Sequence, residues 1–201
     1  MTAADERAPK RIGVLGGTFD PIHLGHLAAA TEAARKFDLE RVVFVPAGEP
    51  WQKERYSAPE DRYMMTVLGT EGHESFSASR LELDRRGPTY TADTIDQMRG
   101  FYGREAQLFF IAGADAVLRL GTWRHLDRLA GEVEMIAISR PGSDLAALAP
   151  EPSWPLVHVV DITPVDVSAS DIRTRVKRGL PVDEMVPSNV LTYIRAQGLY
   201  V

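Results

Sequence analysis

The chain has 201 residues, of which 44% are hydrophobic and 25% are charged, proportions typical of one globular domain with a single core. Its formal net charge is −5, which argues against the broad basic surface with which proteins coat nucleic acids. It contains no cysteine, which excludes disulfide bonds and thiolate zinc sites and is consistent with a reducing compartment. The expected location is therefore the cytoplasm.

The first ten residues are polar and alanine-rich and lack the apolar run of a secretory signal. We expect residues 1–10 to form a flexible tail and residues 11–201 to form one domain. The longest apolar stretch, residues 108–114, is much shorter than the roughly 20 residues needed to cross a bilayer, so no membrane partner is expected. The sequence leaves the oligomeric state open, a homo-oligomer included.

The first elements form a strand, a helix and a second strand. The apolar run of residues 11–15 is followed by Gly16 and Gly17, which predicts a buried strand that feeds a turn. Apolar and alanine positions at helical spacing predict a helix over residues 23–37. Residues 41–46 are apolar on both faces, as in a parallel strand covered by helices.

The same alternation continues to the end of the chain. Further helices are predicted over residues 59–69 and 91–102, and two more begin at Ser168 and Pro187. Apolar strands are predicted over residues 107–112, 134–138 and 156–160, with polar alternation near 75–84 and a proline-rich connection at 148–155. This pattern predicts a single α/β domain, with a doubly wound, Rossmann-like, mostly parallel sheet and helices on both faces.

The turn after the first strand has the features of a phosphate site. A doubly wound sheet binds its ligand at the carboxyl ends of the strands, and small residues there let backbone N–H groups approach a phosphate. The positive end of the helix that starts near His23 would favour the same anion. The glycines do not have the spacing of a dinucleotide fingerprint, and no Gly-Lys-Ser/Thr of a P-loop occurs, so both of those sites are less favoured.

Two histidines, His23 and His26, lie three residues apart at the start of this helix and would face the anion from one side. Paired donors there would stabilise the charge that develops in a phosphoryl transition state. The alternative is a structural or metal-binding pair, although no cysteine or carboxylate stands at the usual zinc spacing.

Residues 16–26, with the sequence GGTFDPIHLGH, resemble the signature of the nucleotidyltransferase superfamily that contains the nicotinate-nucleotide adenylyltransferases. Residues 167–173, VSASDIR, resemble the second signature of that superfamily and depart from it at Val167, Ala169 and Ser170. Without the first signature, the second would be an ordinary capped surface helix. Together they imply that ATP is bound by Gly16, Gly17, Thr18, Phe19, His23, His26, Ser168, Ser170 and Arg173.

The middle of the chain resembles the acceptor site of the nicotinate-nucleotide adenylyltransferases. Residues 87–94, GPTYTADT, are similar to a family segment that implies contacts from Thr89, Tyr90 and Thr91 to the nicotinate end, with Thr91 capping the following helix. Residues 111–115, IAGAD, resemble a Gly-x-Asp segment, in which Gly113 and Asp115 would hold the ATP ribose.

Two further residues complete the implied acceptor site. The resemblance implies that Trp123 stacks on the pyridine ring, whereas on its own this residue is better explained as part of the core. It also implies that Arg140, which closes a predicted strand, contacts the phosphate of the acceptor.

Residues 50–53, PWQK, stand where relatives have Pro-x-His-Lys, so Gln52 replaces the histidine and Lys53 is kept. Lys53 would close over the phosphates and bind the acceptor, and with His23, His26 and Arg173 it completes the catalytic set. The alternative for Lys53 is a mobile, solvated side chain.

The expected reaction is the transfer of AMP from ATP to nicotinate mononucleotide, which gives nicotinate adenine dinucleotide and pyrophosphate in NAD biosynthesis. Mg²⁺ is expected to enter with ATP, held mainly by phosphate oxygens and water, with no dedicated protein cage. Two alternatives remain open: a pantetheine-phosphate adenylyltransferase and a non-catalytic nucleotide-binding sensor.

Overall fold

A computed structural model describes residues 9–48, 56–139, 154–163 and 165–201. The strands are β1 (Arg11–Gly17), β2 (Arg41–Pro46), β3 (Phe76–Ala78), β4 (Gln107–Gly113), β5 (Glu134–Ser139) and β6 (Val157–Asp161). The helices are α1 (Leu24–Phe37), α2 (Pro59–Thr70), α3 (Thr91–Tyr102), α4 (Ala114–Val117), α5 (Ala169–Lys177) and α6 (Ser188–Ala196). Most of the expected tail over 1–10, most of the connection at 148–155, and Lys53 and Arg140 lie outside the described residues.

The described strands form one sheet in the order β3-β2-β1-β4-β5-β6, and every neighbouring pair is parallel. The chain moves outward from β1 to β3, returns to the centre at β4 and then moves outward on the other side. This is the doubly wound order of the Rossmann fold, and it leaves a crevice where β1 and β4 lie side by side.

Hydrophobic cores cover both faces of the sheet. On one face, Leu27 of α1, Met65 of α2, Ile172 of α5 and Ile194 of α6 pack in one cluster with sheet residues such as Phe44. On the other face, a second cluster contains Ile95 and Met98 of α3 together with Val14 and Phe110. The predicted doubly wound sheet with helices on both faces is confirmed.

Most of the predicted elements agree with the structure to within one or two residues. The clearest difference is at the end of β1, where Gly16 and Gly17 belong to the strand and do not form a turn. They continue the ladder because they pair with Val45 and Pro46 of β2. The turn that holds the candidate site therefore begins at Thr18.

Within the described ranges, every helix falls short of the length and apolar character that crossing a membrane requires.

Candidate functional site

The candidate site lies at the carboxyl ends of β1 and β4, the two central strands. The chain continues from β1 toward one side of the sheet and from β4 toward the other. β1 ends at Gly17 and β4 at Gly113, and the two strands are direct neighbours. A loop connects β1 to the start of α1, whereas β4 leads directly into α4. Doubly wound sheets bind ligands at this crevice.

The loop after β1 folds tightly around the Phe19 ring. A Cβ on Gly17 would lie 2.9 Å from that ring, so only glycine fits at this position. Phe19 has φ of 50°, a left-handed conformation that is strained for a bulky residue, and burial of its ring against His26 and Phe44 offsets the strain. Because the ring is buried in the core, any contact between Phe19 and a nucleotide involves the main chain.

The two histidines of the first signature lie on one side of the helix start, as their spacing predicts. His23 is the N-cap residue of α1, and its backbone N–H donates to Nδ1 of His26 over 3.2 Å. The rings stack with their centroids 3.7 Å apart. Since Nδ1 of His26 accepts this bond, a neutral His26 carries its proton on Nε2.

The second signature forms the start of α5, beside the start of α1. Ser168 caps α5 by accepting a bond from the N–H of Asp171 over 3.2 Å, and its hydroxyl lies 3.1 Å from that of Ser170. A Cβ on Gly25 would lie 3.1 Å from Val167, so the two helix starts are in contact. Two positive helix ends therefore meet at one edge of the sheet.

Arg173 joins α5 to the loop after β1. Its Nη1 donates to the backbone carbonyl of Asp20 over 2.7 Å, although 153 positions separate the two residues. This contact brings a fixed guanidinium to the same edge as the two histidines. The three predicted phosphate-binding side chains therefore stand on elements that touch one another.

Asp20 is only 2% exposed, and its buried contacts were not predicted from the sequence. One carboxylate oxygen accepts a bond from the Tyr200 hydroxyl over 2.7 Å, and the other accepts from the N–H of Ser57 over 3.2 Å. Burial raises the pKa of Tyr200, and the nearby charge of Asp20 raises it further, so the phenol stays protonated and donates. A local sequence pattern could not indicate the contact between Asp20 and Tyr200, because 180 positions separate the two residues.

Arg62 of α2 is a second residue that the sequence analysis missed. Its side chain is fully buried and donates to backbone carbonyls on both sides of the site. Burial lowers the pKa of Arg62, and the charge of Asp20 opposes this effect. A signal was present, because Arg62 stands three, four and seven positions before the buried residues Met65, Thr66 and Gly69.

The acceptor residues predicted from the family lie in two neighbouring segments. The N-cap of α3 is Tyr90, so Thr91 occupies the first helical position and the prediction that it caps the helix is wrong by one residue. The Tyr90 ring lies 5.3 Å from that of His125, two positions beyond Trp123. The segment that begins at Thr89 therefore lies close to the one that carries Trp123.

Trp123 is half-buried, and its ring meets that of Phe110 edge-on at 5.7 Å. The indole is thus partly a core residue, as the alternative interpretation expected, while the rest of it stays accessible. At the end of β4, the side chain of Asp115 is 84% exposed and pairs with Arg119 over 3.6 Å. That exposure leaves its carboxylate open to a ligand next to Gly113.

Lys53 and Arg140 lie outside the described residues, and their roles stay predictions. Over the described ranges, no cluster of three or more His, Cys, Asp or Glu side chains is arranged to hold a metal ion. The donors described above are cationic, neutral or helix N–H groups, which suits an anionic ligand such as a phosphate chain.

Comparisons with known proteins point to one family. Residues 14–175 match the family model described as cytidylyltransferase-like. A protein of Leifsonia xyli named probable nicotinate-nucleotide adenylyltransferase is 46% identical over 97% of this chain and 96% of its own length. A protein of Saccharopolyspora erythraea with the same name is 47% identical over 95% of this chain and 90% of its own length.

A solved structure shares the fold. It is the nicotinic acid mononucleotide adenylyltransferase of Plasmodium falciparum complexed with NaAD, with a TM-score of 0.74 over 95% of this chain and 97% of that chain. Its sequence identity of 18% supports a likeness in fold alone. The family model and the relatives at 46% and 47% identity carry the assignment: the chain belongs to the nicotinate-nucleotide adenylyltransferases, within the cytidylyltransferase-like nucleotidyltransferases.

Proposed function

We propose that this protein transfers AMP from ATP to nicotinate mononucleotide, which gives nicotinate adenine dinucleotide and pyrophosphate. The observation that carries the proposal is the meeting of two helix N-termini at the crevice between β1 and β4, with His23, His26 and Arg173 beside them. Aligned N–H groups and a guanidinium attract a triphosphate without a broad basic surface, which suits a chain with a net charge of −5.

The triphosphate would lie over Gly16, Gly17 and Thr18, with its outer phosphates at the start of α5. The 5′-phosphate of the acceptor would attack the α-phosphorus in line, and pyrophosphate would leave. Nε2–H of His26 would donate to oxygens on which charge develops, and Arg173 would hold the leaving phosphates. Hydroxyls of Ser168 and Ser170 would add contacts to the same groups. The exposed carboxylate of Asp115, next to Gly113, would accept bonds from the ATP ribose.

The acceptor would lie between the segment that begins at Thr89 and the indole of Trp123. Backbone N–H groups at Thr91, in the first turn of α3, would favour a carboxylate on the pyridine ring over an uncharged amide. The accessible part of Trp123 would stack on that ring, with Tyr90 beside it. The family resemblance adds Lys53 and Arg140 as partners for phosphates.

Mg²⁺ would arrive with ATP, coordinated by phosphate oxygens and water, because this ion gives up its waters reluctantly and is usually held by few protein groups. It would neutralise charge on the triphosphate. Asp20 would not be a ligand of the ion, because its carboxylate is 2% exposed and is turned to Tyr200 and Ser57.

The test is release of pyrophosphate from Mg·ATP, with nicotinate mononucleotide, nicotinamide mononucleotide and 4′-phosphopantetheine offered separately. Release with the first acceptor at a much higher rate than with the second would support both the reaction and the carboxylate preference. Equal rates with the two mononucleotides would contradict the preference. Release with 4′-phosphopantetheine alone would show that the acceptor is 4′-phosphopantetheine and not a pyridine mononucleotide. No release with any of the three acceptors would favour a nucleotide-binding sensor.

A further inference from the structure

Arg62 is an unusual residue to find inside a protein. It belongs to α2, and its side chain is 0% exposed, the largest of the fully buried side chains described. A buried cation is tolerated only where hydrogen bonds and an opposite charge compensate the loss of water. The Asp20 carboxylate supplies the opposite charge, and the Tyr56 ring lies 5.3 Å from the guanidinium carbon.

The guanidinium donates to four backbone carbonyls. Nη1 donates to Thr18 over 3.1 Å and to Ala47 over 2.7 Å. Nη2 donates to Gly48 over 3.2 Å, and Nε donates to Ser57 over 3.2 Å. Because the guanidinium is planar and rigid, these bonds fix the distances between the segments that carry the four carbonyls.

Two of the four carbonyls connect Arg62 to the segments that would hold the substrates. Thr18 is in the loop after β1, beneath the proposed triphosphate. Gly48 follows β2 and lies against the acceptor segment, since a Cβ on it would be 3.0 Å from the Thr89 methyl group and 2.4 Å from the Glu82 carbonyl oxygen. One buried side chain therefore connects the nucleotide loop to the acceptor segment.

We infer that Arg62 is a positioning residue, which sets the distance between the ATP loop and the acceptor segment and so aligns the acceptor phosphate with the α-phosphorus. This inference rests on the proposed function. It predicts a particular kinetic pattern: loss of Arg62 slows transfer and weakens acceptor use, while ATP binding at the starts of α1 and α5 persists. A residue that only stabilised the fold would leave turnover of the folded protein unchanged.

The variants for the test are Arg62→Lys, which keeps the charge but loses the planar fork, and Arg62→Gln, which avoids burying a charge. The matched control is Arg99→Lys. Arg99 also donates to backbone carbonyls, those of Gly103, Arg104, Ala106 and Glu132, but these precede β4 and β5 at the opposite edge of the sheet. The control thus perturbs a similar cluster far from the site.

Three measurements are made on each full-length variant: thermal unfolding, binding of a non-hydrolysable ATP analogue, and kcat and KM for the acceptor that supports pyrophosphate release in the wild type. We expect Arg62→Lys to bind the analogue within about threefold of wild type but to lose about 100-fold in kcat/KM for the acceptor, the scale of a 1 Å misplacement. Arg99→Lys is expected to lose stability and keep its turnover.

Turnover of folded Arg62→Lys and Arg62→Gln at the level of Arg99→Lys would overturn the inference. So would unfolding of both Arg62 variants under conditions in which Arg99→Lys stays folded, because Arg62 would then act through stability alone. Absence of pyrophosphate release from the wild type with every acceptor is a separate result, which would overturn the proposed function and the inference that rests on it.

Discussion

Replacement of Gly48 by alanine tests how closely the loop after β2 must approach the acceptor segment. The new Cβ would lie 2.4 Å from the carbonyl oxygen of Glu82, whereas carbon and oxygen atoms approach to about 3.3 Å in close contacts. The backbone must therefore open by roughly 1 Å, and Arg62 holds the carbonyl of Gly48 in place over 3.2 Å. The segment from Glu82 to Thr89 would take up most of the shift.

A displacement of about 1 Å in a substrate-positioning segment can reduce the rate about 100-fold. We therefore expect Gly48→Ala to lower kcat/KM for the acceptor by about that factor, while KM for ATP changes by less than about threefold because the starts of α1 and α5 are untouched. Steady-state pyrophosphate release, with each substrate varied in turn, measures both quantities.

Gly100→Ala is the matched control. Gly100 lies in α3, and a Cβ there would have no neighbour within 4 Å. This variant should gain about 0.5–1 kcal/mol of stability from helix propensity and keep wild-type kinetics. If folded Gly48→Ala used the acceptor as well as Gly100→Ala does, the contact between Gly48 and the acceptor segment would have no part in positioning.

Three further outcomes are expected. His26→Ala should lower kcat by at least about 100-fold while the protein stays folded, with a loss of about 1 kcal/mol in the free energy of unfolding because the bond to the His23 N–H is removed. Near-normal turnover of the folded variant would show that His26 does not stabilise the transition state. Since the pKa of Tyr200 is raised in the folded state above its ordinary value of 10.0, its contribution to stability is complete below pH 10 and is lost as the pH rises further. Urea unfolding measures this: above pH 10 the free energy of unfolding should fall with pH more steeply for wild type than for Tyr200→Phe, by up to about 1.4 kcal/mol per pH unit. Equal slopes for the two proteins would contradict the raised pKa. Ser168→Ala should lower the free energy of unfolding by about 1 kcal/mol through loss of the α5 cap, and unchanged stability would show that the capping bond contributes nothing.

The sequence predicts the architecture well because its strands are continuous apolar runs. β2 is an example: it is apolar on both faces, its predicted bounds match the structure, and helices cover both sides of the sheet. Prediction of the bounds was less accurate where backbone pairing decides them. Gly16 and Gly17 have weak strand propensity and join β1 only because β2 is there to pair with them.

The candidate site was predicted in part. His23, His26 and Ser168 could be predicted from local sequence patterns, because the start of a helix is defined by residues that are close in the sequence. The contacts of Arg62 could not be predicted in this way. A charged side chain is ordinarily exposed, and the carbonyls that Arg62 contacts come together only in the folded protein. The apolar and small residues at helical spacing after Arg62 mark a buried face, and a charge on that face indicates a buried partner without naming it.

The bonds to Asp20 also determine when the site can form during folding. Tyr200 and Arg173 reach Asp20 across 180 and 153 positions, and closing loops of this length costs entropy that is recovered only when both ends have found their places. The central strands can pair before these contacts exist. In refolding from denaturant, catalytic activity should therefore return later than the β-sheet forms. The delay should equal the time that the segments carrying Arg173 and Tyr200 need to dock against Asp20.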